Sequence, residues 1–135
     1  QTMPPFPWHF GGQRFHNLFV NHEDIINFIN YNDQKRRICI DVSHTYLASK
    51  HLKINFYDFL SLIAPYAAHY HIADAIDLNG EGLQIGAGEI NFKRILKIIK
   101  KHSPEASFIP EVWQGHKDYG SGFKQALKKL SENGW

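Results

Sequence analysis

Cysteine, long apolar runs and a large net charge are all missing or scarce in this sequence. The single cysteine, Cys39, allows no disulfide within the chain, which predicts a reducing compartment such as the cytoplasm. No apolar run approaches the ~18 residues of a membrane span, so we expect no membrane partner. The net charge is only +2, and the lysines are scattered over predicted helices, which argues against nucleic acid as a partner.

The composition is that of an ordinary globular protein. A chain of 135 residues with 43% hydrophobic residues can bury the core of one domain, and we expect a single domain over 1–135. Residues 1–20 are rich in proline, glycine and aromatic side chains, which predicts an irregular segment. This segment either packs on the domain or forms a lid over a pocket.

Apolar periodicity predicts helices that alternate with short strands. Strands are predicted at 37–42, 69–73 and 107–112. Helices are predicted at 22–31, 44–50, 55–66, 92–102 and 121–132, with caps at Asn21 and Asn91 and a long glycine-rich loop at 74–90. Strands that alternate with helices form parallel β/α units, so the predicted fold class is α/β.

Three side chains of metal-binding type lie where the predicted strands end: Asp41, His71 and Glu111. Polar groups at several strand exits fit a (β/α) barrel, in which active sites collect at the carboxyl ends of the strands. A complete barrel takes about 250 residues, so this chain has about half of one.

Each of these residues also has a simpler explanation. Asp41 could cap the helix that follows it, and His71 could be an ordinary core histidine. Glu111 is harder to explain in this way, because an unpaired carboxylate in an apolar strand costs several kcal/mol. Asp74 either orients His71 by accepting its ring N–H or caps a loop. If both residues are in regular β geometry, His69 is expected on the opposite face of the strand from His71, and we assign it a structural role.

Four motifs occur in a fixed order along the chain. They are Asp41-x-x-His44, His69-x-His71-x-x-Asp74, the glycine motif at 85–92 and Ile109-x-Glu111. The set resembles the xylose-isomerase-like TIM-barrel superfamily. That superfamily contains sugar and sugar-phosphate isomerases and epimerases, together with the apurinic endonuclease of the endonuclease IV type. The resemblance covers essentially the whole chain and implies the last four β/α units, about half of a TIM barrel.

The resemblance implies a site and a chemistry. A divalent metal (Mn²⁺, Mg²⁺ or Zn²⁺) would be held by Asp41, His71 and Glu111, and Glu111 would also transfer a proton at a carbon next to a carbonyl. His44 would reach a substrate oxygen. The fourth ligand in the superfamily is a glutamate on the fifth strand, and the neutral Gln1 stands in its place here, which leaves the acid–base pair incomplete. The remaining substrate-binding candidates are Asp74, Trp113 and His116, although the last two could equally be ordinary packing.

Two functions of different classes follow. One is a metal-dependent sugar or sugar-phosphate isomerase or epimerase, of which this chain is the C-terminal half. The other is a non-catalytic half-barrel with a degenerate metal site, acting as a binding or assembly module. An endonuclease is disfavoured, because its additional metal ligands would fall at Glu81 and Leu83, and leucine cannot bind a metal.

A half-barrel leaves open sheet edges and a bare inner face. We expect a second copy, a missing N-terminal half or the chain's own N-terminal segment to cover them.

Overall fold

A computed structural model describes residues 1–6, 17–31 and 36–135. Within them, helices and strands alternate along the chain, as predicted. The strands are β1 (Ile38–Asp41), β2 (Ala67–Ile72), β3 (Asp74–Ile76), β4 (Gly80–Leu83) and β5 (Ser107–Pro110). The helices are α1 (His22–Asn30), α2 (Val42–Leu52), α3 (Phe56–Ile63), α4 (Phe92–His102) and α5 (Lys117–Glu132), with a 3₁₀ turn at Ala64–Tyr66.

The main sheet has three parallel strands in the order β1-β2-β5. Its register places Asp41 opposite His71, and His71 opposite Ile109, two residues before Glu111. The outer face is apolar and packs under the helices, and Ile40 and Tyr70 are both 0% exposed. The three strands therefore end along one edge of the sheet, which brings the predicted metal ligands together.

The N-terminal segment covers the β1 edge of this sheet. Thr2 is buried, and its backbone N–H donates to the carbonyl of Cys39 over 3.0 Å. The backbone N–H of Asp41 donates to the Thr2 hydroxyl over 2.8 Å, which fixes Gln1 beside the end of β1. Among the described residues, β5 pairs only with β2. Residues 7–16, most of the predicted lid, lie outside the described residues.

The predicted long loop at 74–90 is wrong in part, because its first half is an antiparallel hairpin of β3 and β4. The sequence pattern did not predict this hairpin, because Gly80 and Gly82 have low strand propensity. Gly82 has a φ of +66°, which a residue with a side chain rarely adopts. The hairpin follows the end of β2 and carries Glu81, whose carboxylate lies 3.6 Å from His44.

Helix boundaries agree closely with the sequence prediction where a cap is present. The side chain of Asn21 accepts from the N–H of Glu23, and that of Asn91 accepts from the N–H of Arg94. α5 contains left-handed φ/ψ angles at Asp118, Tyr119 and Gly120, so its regular part follows this kink. No helix in the described residues is long and apolar enough to cross a membrane.

Candidate metal centre

Asp41 performs two tasks with its two carboxylate oxygens. Oδ1 caps α2 by accepting from the N–H of His44 over 3.0 Å and from the Ser43 hydroxyl over 2.9 Å. Oδ2 points toward the other predicted ligands and lies 3.8 Å from Nδ1 of His71. The predicted cap is therefore observed, and the predicted ligand role stays compatible with it because the cap uses only one oxygen.

His71 lies at the end of β2, between the two carboxylates. Its Nδ1 is shielded from solvent and contacts Oε2 of Glu111, while Oδ2 of Asp41 lies 3.8 Å away. The imidazole therefore lies within reach of both carboxylates, which is the arrangement that three ligands of one cation would need.

Glu111 completes the cluster from the residue after β5. Its backbone N–H donates to the carbonyl of Ile72 over 2.9 Å, which continues the sheet alignment by one residue. One ligand atom from each of Asp41, His71 and Glu111 lies within 4.8 Å of the other two. Two ligands about 2.1 Å from a shared ion are at most about 4.2 Å apart. The cluster could therefore take a divalent cation after small movements of these side chains.

The charges of the cluster act on one another. Burial works to raise the pKa of Asp41, but hydrogen bonding to His71 and the charge of His44 outweigh it and hold that pKa below its ordinary value. The Asp41 carboxylate is the main cause of the raised pKa of His71, with a contribution from Glu111. Burial, followed by the charge of Asp41, raises the pKa of Glu111. A carboxylate whose charge raises the pKa of a neighbouring carboxyl group forms with it a site that a cation stabilises.

His44 lies in the first turn of α2 and faces the cluster. Its Nδ1 is 3.2 Å from the carbonyl oxygen of Thr2 and 3.4 Å from Oδ2 of Asp41. Its Nε2 faces the other way and lies 3.6 Å from Oε2 of Glu81. The ring is therefore held at the border of the cluster, where a substrate oxygen would reach it.

Glu81 is a site residue that sequence reasoning considered only as a failed endonuclease ligand. It lies in β4, and the hairpin is fixed over the site because the N–H of Trp113 donates to the carbonyl of Gly82 over 2.6 Å. Burial raises the pKa of the Glu81 carboxyl, the charges of Asp41 and Glu111 raise it further, and His44 partly offsets them. The sequence feature that could have indicated Glu81 is a carboxylate between two glycines, shortly after the second predicted strand.

Asp74 does not fit its predicted roles as a substrate contact or as the acceptor for His71. It is 0% exposed, and its carboxylate accepts from the backbone N–H groups of Ala75, Gly86, Gly88 and Ile90 at 2.8–3.1 Å. The other prediction, that it caps a loop, describes these bonds. Asp74 organises the glycine motif, and a Cβ atom at Gly88 would collide with the carbonyl oxygen of Ala75.

Trp113 and His116 follow Glu111 on the exit loop of β5. The Trp113 side chain is 73% exposed, which does not fit its role as ordinary packing. A cleft of about 440 Å³ opens beside Glu111 and is lined by Glu111, Val112, Trp113, Gln114, His116 and Lys117. A small ligand in this cleft would contact the indole ring and the Glu111 carboxylate together.

His69 lies on the same face of β2 as His71, and the prediction of opposite faces was wrong. Side chains two residues apart in a strand share a face, because the strand repeats every two residues. The two rings are 5.3 Å apart, and Nδ1 of His69 lies 2.8 Å from the Ser107 hydroxyl. This contact across β2 and β5 agrees with a structural role.

Comparisons with known proteins agree with this geometry. A sequence profile described as xylose isomerase-like TIM barrel matches residues 1–132. The chain is also similar to the crystal structure of a D-tagatose 3-epimerase-like protein, with a TM-score of 0.62 and 20% sequence identity. A search of curated protein sequences gave no match.

The structural match covers 99% of this chain and 48% of the other, so the chain spans about half the length of that structure. At this level of identity the similarity shows the fold alone. It confirms the predicted α/β fold of parallel units as about half of a TIM barrel. Because the family profile covers nearly all residues and the fold agrees with it, the chain belongs to the xylose isomerase-like TIM-barrel family.

Proposed function

We propose that this chain is the catalytic half of a metal-dependent sugar or sugar-phosphate isomerase or epimerase. The observation that carries the proposal is the convergence of Asp41, His71 and Glu111 at the strand ends, where one possible ligand atom from each lies within 4.8 Å of the other two. Asp41 caps α2 with one oxygen, but within the described residues the side chains of His71 and Glu111 neither pair the strands nor cap a helix.

Asp41, His71 and Glu111 would hold the ion, which we expect to be Mn²⁺, Mg²⁺ or Zn²⁺. When bound, the cation supplies positive charge that stabilises the sugar oxygen next to the carbon losing its proton. Glu111 would move that proton, and the 52% exposure of its side chain, which lines the cleft, supports this role. The raised pKa of Glu111 brings it closer to the neutral range in which a general base works best.

The remaining groups of the site bind and orient the sugar. His44 would contact a substrate oxygen, and Trp113 would form an apolar wall against the C–H groups of the ring. His116 and Lys117 line the same cleft and would approach the polar end of the substrate. We place the reaction in the cytoplasm, on the basis of the single cysteine.

The experiment is an assay of the purified chain with added Mn²⁺ on three epimer pairs. They are D-tagatose with D-sorbose, D-fructose with D-psicose, and D-ribulose 5-phosphate with D-xylulose 5-phosphate. The choice of the first pair follows the description of the similar structure. We expect interconversion of at least one pair, loss of activity on chelation, and loss in Glu111→Gln.

The second candidate is a non-catalytic half-barrel that binds a partner or assembles with another half. The neutral Gln1 beside Asp41 favours it, as does the 48% coverage of the similar structure. Binding of Mn²⁺ without turnover on any of the three pairs would support this second candidate over the first.

A further inference from the structure

The geometry points to Glu81 as the second proton-transfer group of this site, acting on the opposite side of the substrate from Glu111. This inference rests on the proposed function, since it assigns a residue to that reaction. Epimerisation at one carbon needs a base on one face of the carbon and an acid on the other. The chain was expected to lack one of them.

Gln1 cannot provide the second group. Its side-chain amide reaches the cluster, where Nε2 donates to Oδ2 of Asp41 over 3.2 Å. A carboxamide neither accepts nor releases a proton in the neutral range, so its position at the site does not restore the pair. Another carboxylate within reach of the same substrate must therefore do so.

Glu81 has the required position. It is held by the bond between Trp113 and Gly82, so the segment that carries it is fixed to the exit loop of Glu111. Its side chain is only 18% exposed, which is low for a glutamate in a hairpin. Its Oε2 lies 3.6 Å from Nε2 of His44, the residue at the border of the cluster.

The two glutamates contact different residues around the cluster. Glu81 faces His44, which adjoins Asp41 at the end of β1. Glu111 contacts His71 at the end of β2. In this proposal the sugar carbon lies between the two carboxylates. His44 acts here as a positioning residue, because it holds the Glu81 carboxylate toward this space.

The two carboxylates account for every proton that is transferred, so the reaction needs no further reactant. One carboxylate takes the proton from the carbon next to the carbonyl, the C–H electron pair becomes the C=C bond of an enediolate, and the carbonyl π pair moves to its oxygen. The other carboxylate donates a proton to the opposite face of that carbon, and the carbonyl re-forms. Each glutamate then returns to its starting state by exchange with water, so no oxidant or reductant is needed.

The test follows deuterium incorporation in D₂O with Mn²⁺, starting in turn from each member of the epimer pair that the chain interconverts fastest. The variant is Glu81→Gln. The matched control is Glu89→Gln, a carboxylate after the same hairpin that contacts Tyr46 and Lys50 away from the cluster. Mass spectrometry measures exchange, chromatography measures epimer formation, and calorimetry measures Mn²⁺ affinity. Far-UV circular dichroism verifies that each variant is folded, and Glu81→Asp provides a second variant that keeps the carboxylate.

We expect Glu81→Gln to lower epimer formation at least 100-fold, within the usual range for a lost acid–base group. Exchange should persist within about threefold from one epimer, through Glu111, and disappear from the other. Mn²⁺ affinity should not change, Glu89→Gln should behave as the unaltered chain, and Glu81→Asp should recover part of the rate. This asymmetry between epimers identifies a group that acts on one face.

Three results would overturn the assignment of Glu81. They are epimerisation in Glu81→Gln at the rate of the unaltered chain, an equal loss of exchange from both epimers, and a loss of Mn²⁺ affinity that makes Glu81 a ligand. Each of these leaves the proposed function in place. Absence of exchange and turnover in the unaltered chain with Mn²⁺ bound would instead contradict the proposed function and, with it, this inference.

Discussion

The side-chain amide of Gln1 donates a hydrogen bond to Oδ2 of Asp41 over 3.2 Å, on the same oxygen that faces His71. A neutral group thus lies at the position where the family resemblance implies a carboxylate ligand. The contact is close enough that a carboxylate on the same side chain would enter the ligand set. The identity of this one residue should therefore control how tightly the site binds a cation.

Gln1→Glu should raise the affinity for Mn²⁺ about tenfold, which corresponds to about 1.4 kcal/mol. The physical reason is the added carboxylate ligand for a cation that prefers oxygen donors. Isothermal titration calorimetry measures the change, and Asn79→Asp in the exposed hairpin turn controls for the added negative charge. An affinity equal to that of the Asn79→Asp control would show that the side chain of residue 1 does not reach the ion.

Binding of Mn²⁺ should depend on pH through His71. The carboxylate of Asp41, and then that of Glu111, raises the pKa of this imidazole above its ordinary value of 6.5. A proton must leave His71 before the nitrogen can bind a metal, so affinity should fall about tenfold per pH unit below the His71 pKa. Because the pKa of Glu111 is also raised, protonation of this carboxylate should lower the Mn²⁺ affinity further at lower pH.

The folding stability of the metal-free protein should depend on pH in the opposite direction from the Mn²⁺ affinity. Because the folded-state pKa of His71 is raised, the stabilisation from its protonated form is complete below 6.5 and is lost as the pH rises through the folded-state value. Titrations between pH 5.5 and 8 measure the affinity, and urea unfolding over the same range measures the stability. An affinity that is constant over this range would exclude His71 as a ligand.

Asp74→Ala should destabilise the fold strongly. The change leaves four buried backbone N–H groups without their acceptor, and each such group costs ~1–3 kcal/mol. Glu89→Gln is the matched control, because its exposed carboxylate should have no measurable effect on unfolding. Urea unfolding of both variants checks this expectation. A small effect of Asp74→Ala would mean that the glycine motif holds its shape without the carboxylate.

Local signals explain what the sequence predicted correctly. Asn21 and Asn91 lie directly before helical patterns and cap them, because a cap acts within three residues of its own position. Asp41 and Glu111 end apolar strands, and parallel strands of one sheet must end along the same edge. Convergence of the ligands thus follows from strand order alone, and it did not require knowledge of the loops.

Contacts between distant segments explain what the sequence missed. Glu81 reaches the site only because the backbone of Gly82 bonds to that of Trp113, 31 residues later. The carboxylate of Asp74 bonds to amides as far away as Ile90, and no local pattern distinguishes this use from substrate binding. The hairpin itself was overlooked because its glycines resemble a loop.

The most direct test of the metal centre is anomalous X-ray diffraction from a crystal of this chain soaked in Mn²⁺. The account predicts one strong peak at roughly 2.0–2.3 Å from an oxygen of Asp41, a ring nitrogen of His71 and an oxygen of Glu111. The same experiment on Asp41→Asn should show most of the peak lost, because the side chain of residue 41 no longer carries a negative charge. A peak bound elsewhere, or no peak while these three side chains keep the positions described, would contradict the account.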